Sequence, residues 1–187
     1  NMPPHMGNQD LWSGDLPVRE ALAREGGGWA EGQVAALGKA AGATSTFEKA
    51  DLANRFDPEI RPFDRYGMRI NQVEYHPAYH DLMALAISHE VHNFAWRNPG
   101  PGAHVAHAAL TYMFCQPEGG VMCPMAMTYS VIPALRSTPS VETEWLPRLL
   151  STTYDGGDVP VHHKAGATMG MFMTEKQGGS DVRTNST

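Results

Sequence analysis

Apolar residues recur at helical spacing through the first 150 or so residues of this chain, and strand-like alternation begins only near its end. That change of period limits the fold to a helical assembly followed by the start of a β-structure. The late stretch runs from Met169 to Asp181. Its alternation places Ala167, Met169, Met171 and Met173 on one face of a predicted strand and Thr168, Gly170, Phe172 and Thr174 on the other. Gly178-Gly179 then breaks the strand, and Ser180 and Asp181 supply short side-chain oxygens, a combination that forms either a turn or a close-approach loop for a polar ligand.

Upstream, the helix signals are ordered. Asp15 caps a predicted helix with Pro17 in its first turn, carrying Val18, Ala21 and Leu22 and stopped by Gly26-Gly27-Gly28. A second helix is predicted over Glu31 to Ala41, with Val34, Leu37 and Ala41 on its apolar side and Gly42 as its stop. Ser45 and Glu48 have capping-box spacing and open a third, which ends at Asp57-Pro58. From there to Tyr75 the prolines, Gly67 and mixed charges predict a connecting loop.

Pro77 fits the first turn of the longest predicted helix, which runs to about Trp96 and is apolar on both sides, the mark of a central element. After the break at residues 98–102, a helix is predicted to about Gln116, ended by Gly119-Gly120. A third runs from Pro124 to Leu135 with Pro133 inside it, and a fourth, with Thr138 as N-cap and Pro139 as first residue, runs to Leu150. Thr152 to Lys164 reads as a polar loop, which puts a domain boundary there: an α-helical domain over 1–151, then a linker and the start of a β-domain over 152–187.

Composition narrows the functional classes. A 42% apolar, 18% charged chain of 187 residues is globular, and no apolar run approaches the ~18 residues of a membrane span. The polar first nine residues lack a signal-peptide core, so the expected location is cytoplasmic. Cys115 and Cys123 do not make a CxxC pair and are expected as reduced thiols within helices. A net charge of −6 disfavours phosphate backbones as partners of this chain. His76 with His80, His89 with His92 and His104 with His107 are spaced for metal, but His89-Glu90-Val91-His92 is one residue short of HExxH. The expected role of these imidazoles is hydrogen bonding at helix margins, with no metal ligand assigned. Most of the eleven methionines read as core filling, with Met171 and Met173 set apart by the segment they lead into. No nucleophile elbow and no GxxxxGK[ST] phosphate loop is present.

The run Met173-Thr174-Glu175-Lys176-Gln177-Gly178-Gly179-Ser180-Asp181 resembles the flavin-contacting M-T-E-x-x-x-G-S-D segment that opens the middle β-domain of acyl-CoA dehydrogenases. Lys176 and Gly178 replace the family's usual Pro and Ala, a variant similar to the AidB branch, associated with the adaptive response to DNA alkylation. Ala23 to Trp29, His76 to His80, Val91 to Trp96 and Cys123 to Thr128 resemble that branch as well. The likeness covers nearly the whole chain but only the front part of the family's polypeptide.

The resemblance implies a mainly α fold: the N-terminal helical-bundle domain of the acyl-CoA dehydrogenase type, followed by the first strand and loop of a β-domain. It implies FAD as cofactor, with Met171, Met173, Thr174, Gly179 and Ser180 as the contacting residues, Thr174 toward the ring and Gly179 with Ser180 toward the pyrophosphate. The implied reaction removes two hydrogens from an acyl-CoA-like thioester, one as a proton to a carboxylate and one as a hydride to the flavin. That carboxylate belongs to the family's second helical domain, so no catalytic residue is assigned here. A homotetrameric parent is implied. Two other readings stand beside this one: a DNA-binding or DNA-shielding parent with vestigial dehydrogenase activity, contacting DNA through its C-terminal part, and a helical fragment with no activity of its own.

Overall fold

The structure is a computed structural model and describes residues 1–4 and 6–186. Helices account for most of its regular structure. Asp15 accepts a hydrogen bond from the Val18 amide and starts α1 (Leu16–Arg24), as its spacing predicts. The second helix, α2 (Glu31–Ala41), has the predicted bounds. For α3 (Thr44–Arg55) the predicted capping box does not form: no side chain caps it at residue 43. Instead Asn8 Oδ1 accepts from the Thr44 amide at 3.2 Å, so a donor orphaned by the helix start is satisfied by a residue 36 positions away.

The predicted connecting loop is an antiparallel hairpin, β1 (Glu59–Phe63) with β2 (Arg69–Glu74). Asp64 organises its turn, accepting from the amides of Tyr66 and Met68, and Gly67 occupies a left-handed conformation at φ 81. Ile60 lies opposite Val73, and the register shifts beyond Arg61, where Asn71 takes φ 49. That extra residue brings Ile70 onto the Ile60 and Val73 face and leaves Arg61, Arg69 and Glu74 on the other. Sequence periodicity missed the hairpin because the bulge breaks the alternation and Pro62 interrupts it.

The predicted long helix is two. The first, α4 (Pro77–Ser88), gives way to a turn before the short α5 (Phe94–Arg97). Glu90 adopts φ 60, Val91 N donates to Ala86 O and Glu90 N to Ile87 O, both at 3.0 Å, which is the Schellman pattern of a helix end. Glycine normally fills that position. Here the Glu90 carboxylate is held by Arg97 Nε at 3.2 Å and Asn98 Nδ2 at 3.1 Å, contacts that offset the cost of a side chain in the left-handed region.

Three helices complete the bundle: α6 (Ala103–Cys115), α7 (Met122–Leu135, containing Pro133) and α8 (Pro139–Leu149). Glu118 caps the approach to α7 with bonds from the amides of Gly120 and Val121. Thr138 precedes Pro139 as predicted, but its side chain makes no cap bond. The closest helix partners are α2 with α6, α3 with α4, and α5 with α6, and α7 lies beside α8. Between them lies one core in which Val34, Leu37, Leu82, Ile87, Phe94, Leu110, Met113, Phe114 and Met125 are buried. Leu82, Met83, Ala86 and Ile87 are buried, whereas Leu85 on the second apolar side is only partly so.

Candidate functional site

The chain leaves α8 through a loop with internal ties. Asp155 accepts from the amides of Gly157 and Ala165, which holds its carboxyl below the usual range, and Lys164 binds both Asp155 and the Gly157 carbonyl. The next residues run along the helices. Alternate amides are anchored: Ala167 N to Arg148 O at 3.2 Å, Met169 N to Thr128 Oγ1 at 2.9 Å, and Met171 N to Met127 Sδ at 3.3 Å. Two-residue spacing is the strand-like phase the sequence predicts. The strand itself is absent among the described residues, because no second backbone runs beside this one to complete a ladder.

Beyond Met171 the side chains leave the bundle. Met171 and Met173 are about half exposed, at 55% and 52%, and Phe172 between them is 99% exposed. The chain then folds back on itself. Glu175 and Gly178 form an isolated antiparallel bridge, Asn185 Nδ2 donates to the Met173 carbonyl, and Glu175 Oε2 accepts from Ser186 N at 3.1 Å. Gly178 is buried at this crossing, where a Cβ would come within 2.5 Å of the Thr184 hydroxyl and closer still to Asn185. That is the physical reason for the first glycine of the pair. A Cβ on Gly179 would meet only Thr174 Cγ2, at 3.9 Å, so Gly179 and Thr174 are neighbours across an open face. Thr174 and Ser180 are exposed.

The structure therefore brings Met173, Thr174, Gly179 and Ser180 into one exposed loop, with Met171 at its root against α7. Thr128, Met127 and Asn185, which hold this segment, carry no local signal of that role. They are found only because the fold places them against it.

A cavity of about 540 Å3 lies elsewhere, between β2, α4 and the 154–168 loop. Tyr75 and Tyr79 stack at 4.3 Å, and the Tyr154 hydroxyl is 2.6 Å from His80 Nδ1; burial pushes that phenol up to about 12. Lys164, a cation on its wall, is committed to Asp155, so the cavity does not present a free positive charge to a phosphate. The flavin-type residues do not line it.

Two of the other histidines make the expected hydrogen bonds at helix margins, and a third stacks instead. His76 accepts from the Ala78 amide at the start of α4, His104 bonds the Tyr129 hydroxyl, and His107 stacks on Tyr129 at 3.8 Å. Among the described residues no cluster of three or more His, Cys, Asp or Glu is placed to hold a metal, and no helix is long and apolar enough to cross a membrane. Cys115 and Cys123 lie in α6 and α7 as free thiols.

A helical bundle of this form that delivers an exposed M-T-E-x-x-x-G-S-D segment at its end defines the N-terminal part of an acyl-CoA dehydrogenase-like protein. The same fold is seen over the whole chain in the structure "Bd2924 apo-form" (TM-score 0.83, 25% identity, 36% of that chain covered). It recurs over 97% of the chain in Caenorhabditis elegans ACDH-11 in complex with C11-CoA (TM-score 0.77, 23% identity, 31% of that chain covered). Residues 1–156 match the family described as Adaptive response protein AidB N-terminal domain, and the chain belongs to that family. It is 40% identical, over its full length, to the putative acyl-CoA dehydrogenase AidB of Escherichia coli (strain K12), of which it spans 35%.

Proposed function

We propose that this chain is the front part of an FAD-dependent, acyl-CoA dehydrogenase-like flavoprotein of the AidB type, linked to the alkylation-damage response, with Met171, Met173, Thr174, Gly179 and Ser180 forming one wall of the flavin site. The observation that carries the reading is the exposed run Met171-Phe172-Met173-Thr174, anchored to α7 on one side and to Asn185 on the other. A fixed backbone with outward thioethers, an aromatic ring and a hydroxyl suits a large planar group that needs both apolar contact and hydrogen bonds. The fit is chemical as well. Gly179 leaves the backbone open to close approach beside Thr174, and Ser180 adds a donor of the kind a pyrophosphate oxygen takes. One wall of this size cannot enclose the cofactor, so the remaining contacts come from the rest of the protein.

When bound, FAD supplies a hydride acceptor for oxidation of an acyl thioester. The residues here bind and orient. The Thr174 hydroxyl and the amides near Met173 offer hydrogen bonds to the ring, and Gly179 with Ser180 offers them to the phosphates. Glu175 is not a base in this scheme: its carboxylate accepts from Ser186 N and from Gln177, contacts that close the loop. The proton acceptor lies outside this chain.

Flavin titration of the complete protein and two variants tests the reading. Thr174→Val keeps the side-chain shape and should weaken FAD by ~0.5–1.5 kcal/mol, one neutral hydrogen bond. Ser180→Ala should cost more, ~1.5–3 kcal/mol, because its partner is charged. Unchanged affinity in both variants would place the cofactor elsewhere.

A further inference from the structure

We infer that Thr128 is a positioning residue for the flavin site: its hydroxyl, buried in α7, pins the phase of the segment that carries Met171, Met173 and Thr174. The inference rests on the flavin reading above and names the element of the bundle that aims the site. Thr128 is 0% exposed and accepts from the Met169 amide at 2.9 Å. It is the only oxygen acceptor that α7 gives this segment among the described residues, since Met127 next to it offers only a thioether to the Met171 amide.

The geometry makes the pin selective. Amides two apart in a strand-like chain point the same way, and those of residues 167, 169 and 171 all turn to the helices. A slip of one residue would turn the amides of 168, 170 and 172 inward and reverse every side chain beyond them, Met173 and Thr174 included. In a complete sheet, neighbouring strands resist such a slip. At the place where this segment leaves the bundle, the described residues offer helix side chains in their stead. A threonine suits the task because its hydroxyl is short and its χ1 is limited to two rotamers in a helix, which keeps the acceptor close to the helix surface.

The test uses the complete protein as Thr128→Val, which keeps the branched shape without the acceptor, and Thr128→Ser, which keeps the acceptor. Two readouts are taken: hydrogen exchange of the peptide covering residues 167–172 in apoprotein, and the Kd for FAD. For Thr128→Val the exchange should speed up and the Kd rise by roughly 2- to 10-fold, the effect of one neutral hydrogen bond, while Thr128→Ser restores both. The flavin absorption bands should shift in the valine variant alone. Faster exchange with unchanged Kd and bands would make Thr128 a purely structural residue and overturn the inference. Should the valine variant not fold, Met127→Leu, which removes the adjoining acceptor from the Met171 amide, is read in the same two ways. If Thr174→Val and Ser180→Ala weaken FAD while Thr128→Val, or Met127→Leu in its place, does not, the positioning role fails alone; if none of these weakens FAD binding, the flavin reading itself fails.

Discussion

At the scale of single residues, the bundle depends on imidazoles that stay neutral. Burial pulls His92 down to about 4 from its ordinary 6.5, although the Ser151 carbonyl lies 3.1 Å from its Nε2, and burial takes His107 to about 4 as well. A folded-state value below the unfolded one means that the unfolded chain binds more protons between the two. Stability is therefore complete above pH about 6.5 and is lost as the pH falls toward about 4. Urea midpoints recorded across that range should decline, and His92→Gln should decline less steeply. A variant curve parallel to the parent's would remove His92 from the account. The spacing of His89 and His92 reads as one helix face, but α4 ends at Ser88, so His89 caps it and His92 is buried in the turn that follows. That Nε2 of His92 would reach a carbonyl 59 residues away was not legible in that spacing.

Among the elements, the hairpin is the least supported. All residues of β1 and β2 are exposed, and a two-stranded sheet without a packed face is marginal in water. Its turn rests on Asp64 and on the left-handed Gly67. Gly67→Ala should strain that position by ~1–2 kcal/mol, speeding amide exchange in residues 59–74 while the thermal midpoint of the bundle hardly moves. An equal loss in the whole bundle would show that the hairpin folds as one unit with it. The helices α1 and α2 were legible because their caps and stops, Asp15, Pro17 and Gly42, act within a few residues of where they stand. The hairpin was not, since its bulge at Asn71 mixes the period that strand recognition uses.

For the whole molecule, charge is the decisive quantity. The net charge of −6 and the pairing of bases such as Arg61 and Lys49 with Glu74 and Asp81 disfavour a phosphate backbone as partner. A mobility-shift assay with duplex DNA at physiological salt should show no complex; a salt-dependent shift would contradict this. The helical class, the order of the helices and the strand-like phase of residues 167–171 followed from the sequence alone, because apolar period and Gly or Pro punctuation are local properties. Only the tertiary structure decided that the long helix stops at Glu90, where Arg97 and Asn98 make a left-handed glutamate tolerable. It also decided that the predicted strand is held by Thr128, 41 residues earlier in the chain, and not by a neighbouring strand. Both depend on partners that meet only when the bundle closes, and no local pattern encodes which distant group will satisfy a given backbone amide.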